Sequence, residues 1–104
     1  MKLVIDKRVT TRTRHVSRDY ARTASEEVAH RFRNAVDEAI WAIARAPAAA
    51  GHLIHYPPDP KVAYRRRNLR TFPFFIIYSH EPKQITLLWL RASRSNPELY
   101  FTES

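Results

Sequence analysis

The chain holds 104 residues (12.2 kDa), of which 18 are Lys or Arg and 10 Asp or Glu, giving a formal net charge of +8. Cysteine is absent, which excludes a disulfide scaffold, a thiolate zinc site and a thiol nucleophile. No apolar run is long enough for a membrane helix or a signal peptide, and 44% hydrophobic residues rule out a disordered chain.

This length suits one domain, 1–104, able to bury about two thirds of its surface. The absence of disulfides fits a cytoplasmic protein. The charge is unevenly spread. Residues 1–24 carry +5 and residues 61–94 carry +7, around a weakly acidic middle. Arginine supplies 14 of the 18 cations, and its planar fork suits phosphates and carboxylates. Two basic blocks of this kind are the footprint of a polyanion or of an acidic protein partner.

Leu3-Val4-Ile5 reads as a short first strand. From Val9 to Thr23, Val9, Val16 and Tyr20 give a helix with a narrow apolar stripe. Its threonines make it weak on propensity, so it needs a neighbour to lean on. Ser25 then offers an N-cap, followed by Glu26 and Glu27 in a first helical turn. Val28, Phe32, Val36, Ala39, Ile40 and Ile43 fall on one face, and Pro47 ends the helix. The two helices form an α-hairpin turning near Thr23–Ser25. Burial of the large side chains in the second stripe is worth roughly 1.5–3 kcal/mol each before entropy costs.

Residues 47–63 contain Pro47, Pro57, Pro58, Pro60 and the single glycine, Gly51. They read as a long loop, a candidate binding element or flap. Its His52 and His55 are acid–base candidates only if a partner tunes them. From Tyr64 the period becomes that of strands. Residues 64–72 alternate imperfectly, Phe74–Tyr78 is a continuous apolar run, residues 79–84 are a turn, and Ile85–Ala92 is another buried strand. Strict alternation puts Ile85, Leu87, Trp89 and Arg91 on one face of that strand, with Thr86, Leu88, Leu90 and Ala92 on the other. Trp89 reads as core, and Trp41 as core or interface. The order makes an α+β fold: an N-terminal strand, a helical hairpin, then a three-stranded antiparallel meander packed on the helices.

Three segments carry a resemblance. Ala39-Ile40-Trp41-Ala42-Ile43 leads to Pro47 and Gly51. Arg67-Asn68-Leu69-Arg70-Thr71-Phe72-Pro73-Phe74 leads to Tyr78. Ile85–Arg91 leads to Arg94-Ser95-Asn96-Pro97. In this order they resemble the RelE/ParE superfamily of toxins from type II toxin–antitoxin pairs, which includes plasmid stabilisation proteins. The resemblance implies a toxin with a cognate acidic antitoxin. It also implies a target that is either DNA gyrase, as in the ParE branch, or ribosome-bound mRNA, as in the RelE endoribonuclease branch. Candidate catalytic residues by this resemblance are Arg66, Arg94 and Tyr100, the last two six positions apart as in the nuclease branch. Arg65, Arg67, Arg70 and Arg91 are candidates for contact with nucleic acid or partner. Phe75 and Asn68 stand where that branch carries basic residues, which turns the expectation towards a ParE-like or other target. A non-toxic basic module gripping nucleic acid by its phosphates is the alternative from a different class. Tyr100 beside Phe101 also reads as packing of the tail. No metal ligand set, Gly-rich phosphate loop, small-molecule cofactor or membrane partner is expected.

Overall fold

The computed structural model describes residues 1–55 and 57–102. β1 (Lys2–Ile5) leads into α1 (Lys7–Thr23) and α2 (Glu26–Arg45). There follow β2 (His52–Leu53), β3 (Ala63–Asn68), β4 (Phe74–His80), β5 (Gln84–Ala92) and a 3₁₀ turn at Pro97–Leu99. The α+β reading holds, with one change of topology. The sheet has five strands in the order β1-β5-β4-β3-β2, and β1 lies parallel to β5 beside the antiparallel meander. The two-residue β2 sits inside the expected 47–63 loop and pairs with Arg65 and Arg66 of β3. The part of that loop at Tyr56 lies outside the described residues, as do Glu103 and Ser104 of the tail.

Both helices start as local chemistry directs. The Asp6 carboxylate accepts from the Arg8 backbone N–H, and the Ser25 hydroxyl accepts from the Val28 N–H. α1 thus begins two residues before Val9, at Lys7. α2 buries Ala29, Phe32, Ala35, Val36, Ala39 and Ile43, while Val28 and Ile40 stay half-buried at the edge of the expected stripe. α1 adds Val9 and Val16 to the same core, and the sheet adds Ile76, Tyr78, Ile85, Leu87 and Leu90. Trp41 is 60% exposed beneath the Arg45 guanidinium, so it belongs to the surface and not to the core.

The face assignment along β5 needs correction. A β-bulge at the Ile77/Tyr78 step pairs Tyr78 with Leu87 but Ile77 with Trp89, so the strand spends one extra residue, Leu88. Side-chain parity therefore flips. Leu87 and Leu90 both join the helix-side core, whereas Trp89 packs with Phe75, Ile77 and Tyr100 in a second cluster. Trp89 is half-buried there.

Gly51 is required by close approach. A Cβ at this position would lie 2.4 Å from the Arg66 carbonyl oxygen and 2.9 Å from its carbon. Both are backbone atoms of β3, so a side chain could be accommodated only by displacing β2.

Candidate functional site

Strand geometry divides the Arg65-Arg66-Arg67 run between two environments. Arg65 and Arg67 point to one side. Their Nη1 atoms donate to the carbonyls of Gly51 (2.9 Å) and Ala50 (3.1 Å), just beyond the C-terminus of α2. The Tyr78 hydroxyl donates to the Pro47 carbonyl in the same turn (2.6 Å). Together these bonds tie residues 47–51 to the sheet. The Nε atoms of both arginines are buried without a hydrogen-bond partner. The expected loop is therefore an anchored segment over Pro47–Leu53, and these two arginines are its anchors.

Burial pushes the Tyr78 phenol above its ordinary value, with Arg65 and Arg67 pulling the other way. A raised phenol favours the protonated folded state. Its stabilisation is intact below pH about 10 and is lost as pH rises through the folded value. Urea midpoints measured from pH 8 upward are expected to fall on the alkaline side. Tyr78→Phe is expected to flatten that fall in part, since Tyr64 is also raised, first by burial and then by Asp59 and Glu81. A pH profile unchanged by Tyr78→Phe would refute the assignment.

Arg66 points to the other face of the sheet, the one turned from the helices. Its guanidinium carbon lies 3.6 Å from the centre of the Phe75 ring. Nη1 donates to the Tyr100 hydroxyl (2.9 Å) and Nη2 to the Asn68 side-chain oxygen (2.9 Å). Tyr100 itself is 6% exposed and meets Phe75 edge-on at 5.1 Å. The tertiary structure thus gathers Arg66, Asn68, Phe75 and Tyr100 into one small assembly. Arg94 does not join it. Arg94 is exposed in the turn after β5 and has no hydrogen bond or ion pair among the described residues.

The other candidate arginines also part company. Arg70 is exposed and reaches Glu38 at 3.5 Å, a surface pair worth little. Arg91 is buried, at 9% exposure. Its Nε and Nη2 donate to the Tyr100 carbonyl at 3.1 and 3.0 Å, and Nη2 also donates to the Thr102 carbonyl. Arg91 therefore holds the tail, and little of its side chain remains exposed for the contact expected from the sequence. The bulge is the reason, because it places Arg91 on the tail side of β5. Burial, then the neighbouring Arg12 and Arg8 guanidiniums, push Arg91 below the usual arginine range.

Sequence reasoning named no residue in the first basic block. In the fold, Lys7, Arg8, Arg12 and His15 of α1 line a cleft with Trp89 and Arg91. The signal was available: Arg8 and Arg12 are one helical turn apart, and His15 follows three residues later on the same side. Among the described residues, no group of three or more His, Asp or Glu side chains could hold a metal ion. No helix among them is long and apolar enough to cross a membrane.

No family model matches the chain, and no curated protein matches it. Among solved structures, a chain from the chromosomal ParDE TA system of P. aeruginosa matches with a TM-score of 0.71. The fold is ParE-like. The match covers 88% of this chain and 95% of that chain at 19% sequence identity. At that identity the ParE-like likeness lies in the arrangement of helices and sheet, and the side chains discussed above are this chain's own.

Proposed function

We propose that the chain is the toxin component of a type II toxin–antitoxin pair. It arrests growth through a ParE-like, gyrase-directed target or another macromolecule, and not by cutting mRNA. The observation that carries this reading is the ParE-like fold shared with a chain of a ParDE TA system. The state of Arg66 and Tyr100 favours the non-nuclease branch. Cleavage of a phosphodiester needs a proton donor or acceptor within reach of substrate. Here the Tyr100 hydroxyl is already bonded to Arg66, the ring is buried, and Arg94 stands apart. Phe75 also puts a fully buried apolar ring, beneath the Arg66 guanidinium, where the nuclease branch carries a cation.

The partner in this reading is an acidic antitoxin segment that folds on the toxin surface. The net charge of +8 speeds its encounter. The RelE-like nuclease reading keeps one observation in its favour. Two of its three candidate residues, Arg66 and Tyr100, are in contact.

The experiment is induced expression with and without an adjacent antitoxin reading frame, followed by parallel measurement of mRNA integrity and plasmid supercoiling. Growth arrest relieved by the antitoxin is expected, with mRNA intact. Arg94→Ala and Tyr100→Phe are expected to remain toxic. Cleaved mRNA that becomes intact in either variant would establish the nuclease branch instead. Absence of arrest, combined with salt-steep binding of RNA or DNA, would establish the non-toxic binding module.

A further inference from the structure

The two sides of α1 meet different surroundings. At about 3.6 residues per turn, Val9, Val16 and Tyr20 fall within one narrow arc, and this arc packs on the core. Directly opposite, Lys7, Arg14, His15, Arg18 and Arg22 share an arc of about 100°, with Thr11 among them. All five are exposed, and they form a ridge about 22 Å long. No acid lies within the ridge. Asp19 stands at its border, where it meets Arg22 at 3.2 Å. Lys7, Arg14 and Arg18 have no acidic partner among the described residues.

A solvated helix face ordinarily mixes its signs, and α2 does so. Its exposed side chains include Glu26, Asp37 and Glu38 beside Arg31, Arg33 and Arg45. On α1 the like charges stand one turn apart, Arg14 with Arg18 and Arg18 with Arg22, and such pairs work against the helix. The ridge therefore holds a concentrated charge that the helix is better off without, and this asks for a polyanion.

The composition of the ridge selects among polyanions. The centre of a protein interface is depleted of charge and enriched in aromatic and apolar anchors, and this ridge has none. Single-stranded nucleic acid is held by stacking on aromatic rings, which the ridge also lacks. Duplex backbone needs only cations and hydroxyls. The cations lie on both sides of the helix midline, so a helix laid along the B-form major groove can reach phosphates of both strands. The A-form major groove is too deep and narrow to offer both walls to a helix.

We propose that the outward ridge of α1 grips the phosphate backbone of double-stranded DNA, independently of its sequence. Lys7, Arg14, Arg18 and Arg22 each neutralise a phosphate, and His15 adds a donor. The proposal stands apart from the toxin reading, because duplex binding is read on purified protein and growth arrest in cells.

The test is fluorescence anisotropy of a labelled mixed-sequence duplex of about 20 bp, titrated with the full chain between about 50 and 200 mM salt. For four phosphates, log K is expected to fall with log salt at a slope of about −3.5. Arg14→Glu combined with Arg18→Glu is compared with Arg31→Glu combined with Lys83→Glu, which lie off the ridge. Both double variants carry +4 in place of +8, so they differ only in where charge is lost. The ridge variant is expected to bind at least about tenfold more weakly, with a slope shallower by about 2. The other is expected to change affinity by less than about threefold.

Equal losses in the two variants would reduce the effect to net charge and overturn the proposal. So would a slope shallower than about −2 in the unaltered chain. Tighter binding of single-stranded DNA or of duplex RNA would overturn the B-form assignment. Displacement of the duplex by polyglutamate at equal charge concentration would assign the ridge to an acidic protein instead. The same pairs changed to glutamine repeat the comparison if a charge reversal fails to fold, which circular dichroism checks.

Discussion

Replacing Phe32 with alanine is expected to lower the free energy of unfolding by about 3–5 kcal/mol. Phe32 is fully buried at the centre of an aromatic cluster that joins every layer of the fold. Its ring lies 5.4 Å from Tyr20 of α1, 5.4 Å from Phe72 in the β3–β4 connection and 5.5 Å from Phe74 of β4. Tyr20 and Phe72 also meet each other at 5.4 Å, so the rings buttress one another and cannot easily collapse into a void. The lost transfer energy and the cavity add together, and the edge-on ring pairs contribute about 0.5–1.5 kcal/mol each beyond area. Domains of this size have roughly 5–15 kcal/mol in total, so the variant loses much of its margin. Calorimetry should show a melting temperature lower by at least about 12 °C. A loss below about 1.5 kcal/mol would mean that the neighbours refill the space, and the cluster would not be the centre described above.

Replacing Arg91 with alanine is expected to lower the free energy of unfolding by about 2–4 kcal/mol and to release the tail. The guanidinium satisfies the carbonyls of Tyr100 and Thr102 from within the sheet. Hydrogen bonds to a charged donor are each worth about 1.5–3 kcal/mol, and the carbonyls left behind keep their desolvation penalty until the tail moves away. Release should carry Tyr100 off Phe75 and Arg66, and Phe101 off Trp89. Arg91→Lys should recover only part of the loss, because a point charge cannot span both carbonyls as the fork does. Urea unfolding measures the energy, and ring-current shifts of Tyr100 and Phe101 measure the release. A fully ordered tail in Arg91→Ala would refute the role.

The helices were readable because their information is local. The Ser25 cap, the acids Glu26 and Glu27, and the period of Phe32, Val36, Ala39 and Ile43 all act within a few residues, whereas the Asp6 cap that starts α1 at Lys7 went unread. The core strands were readable because a continuous run such as Phe74–Tyr78 has no polar face to turn outward. β2 was not. Two residues carry no periodicity, and His52-Leu53 becomes a strand only because Gly51 lets it approach β3. The bulge in β5 was equally hidden, since nothing in Ile85–Ala92 marks the extra residue. That one residue separates the expected from the observed environments of Trp89 and Arg91.

The candidate site divides in the same way. Alternation along a strand was enough to separate Arg66 from Arg65 and Arg67. It could not say that Arg65 and Arg67 would be used on the carbonyls after α2, or that Arg66 would meet Tyr100 across 34 positions of sequence. The cleft between α1 and β5 was invisible for a related reason. Its charges are local to residues 7–15, but its other wall comes from Trp89, Leu90 and Arg91.

By itself, the sequence determined the two helices, the long strands, the fold class and the sign of the surface. Each follows from short-range periodicity or from a count of +8 that no folding can change. The tertiary structure decided which charges remain available. Arg65, Arg67 and Arg91 are drawn into carbonyl contacts, because a guanidinium near unsatisfied backbone oxygens gains more there than in water. Lys7 and Arg12 are left exposed beside an unpaired strand, because β1 ends at Ile5 and the chain leaves the sheet. Long-range geometry thus turned two basic blocks into an internal set of anchors and one open basic cleft.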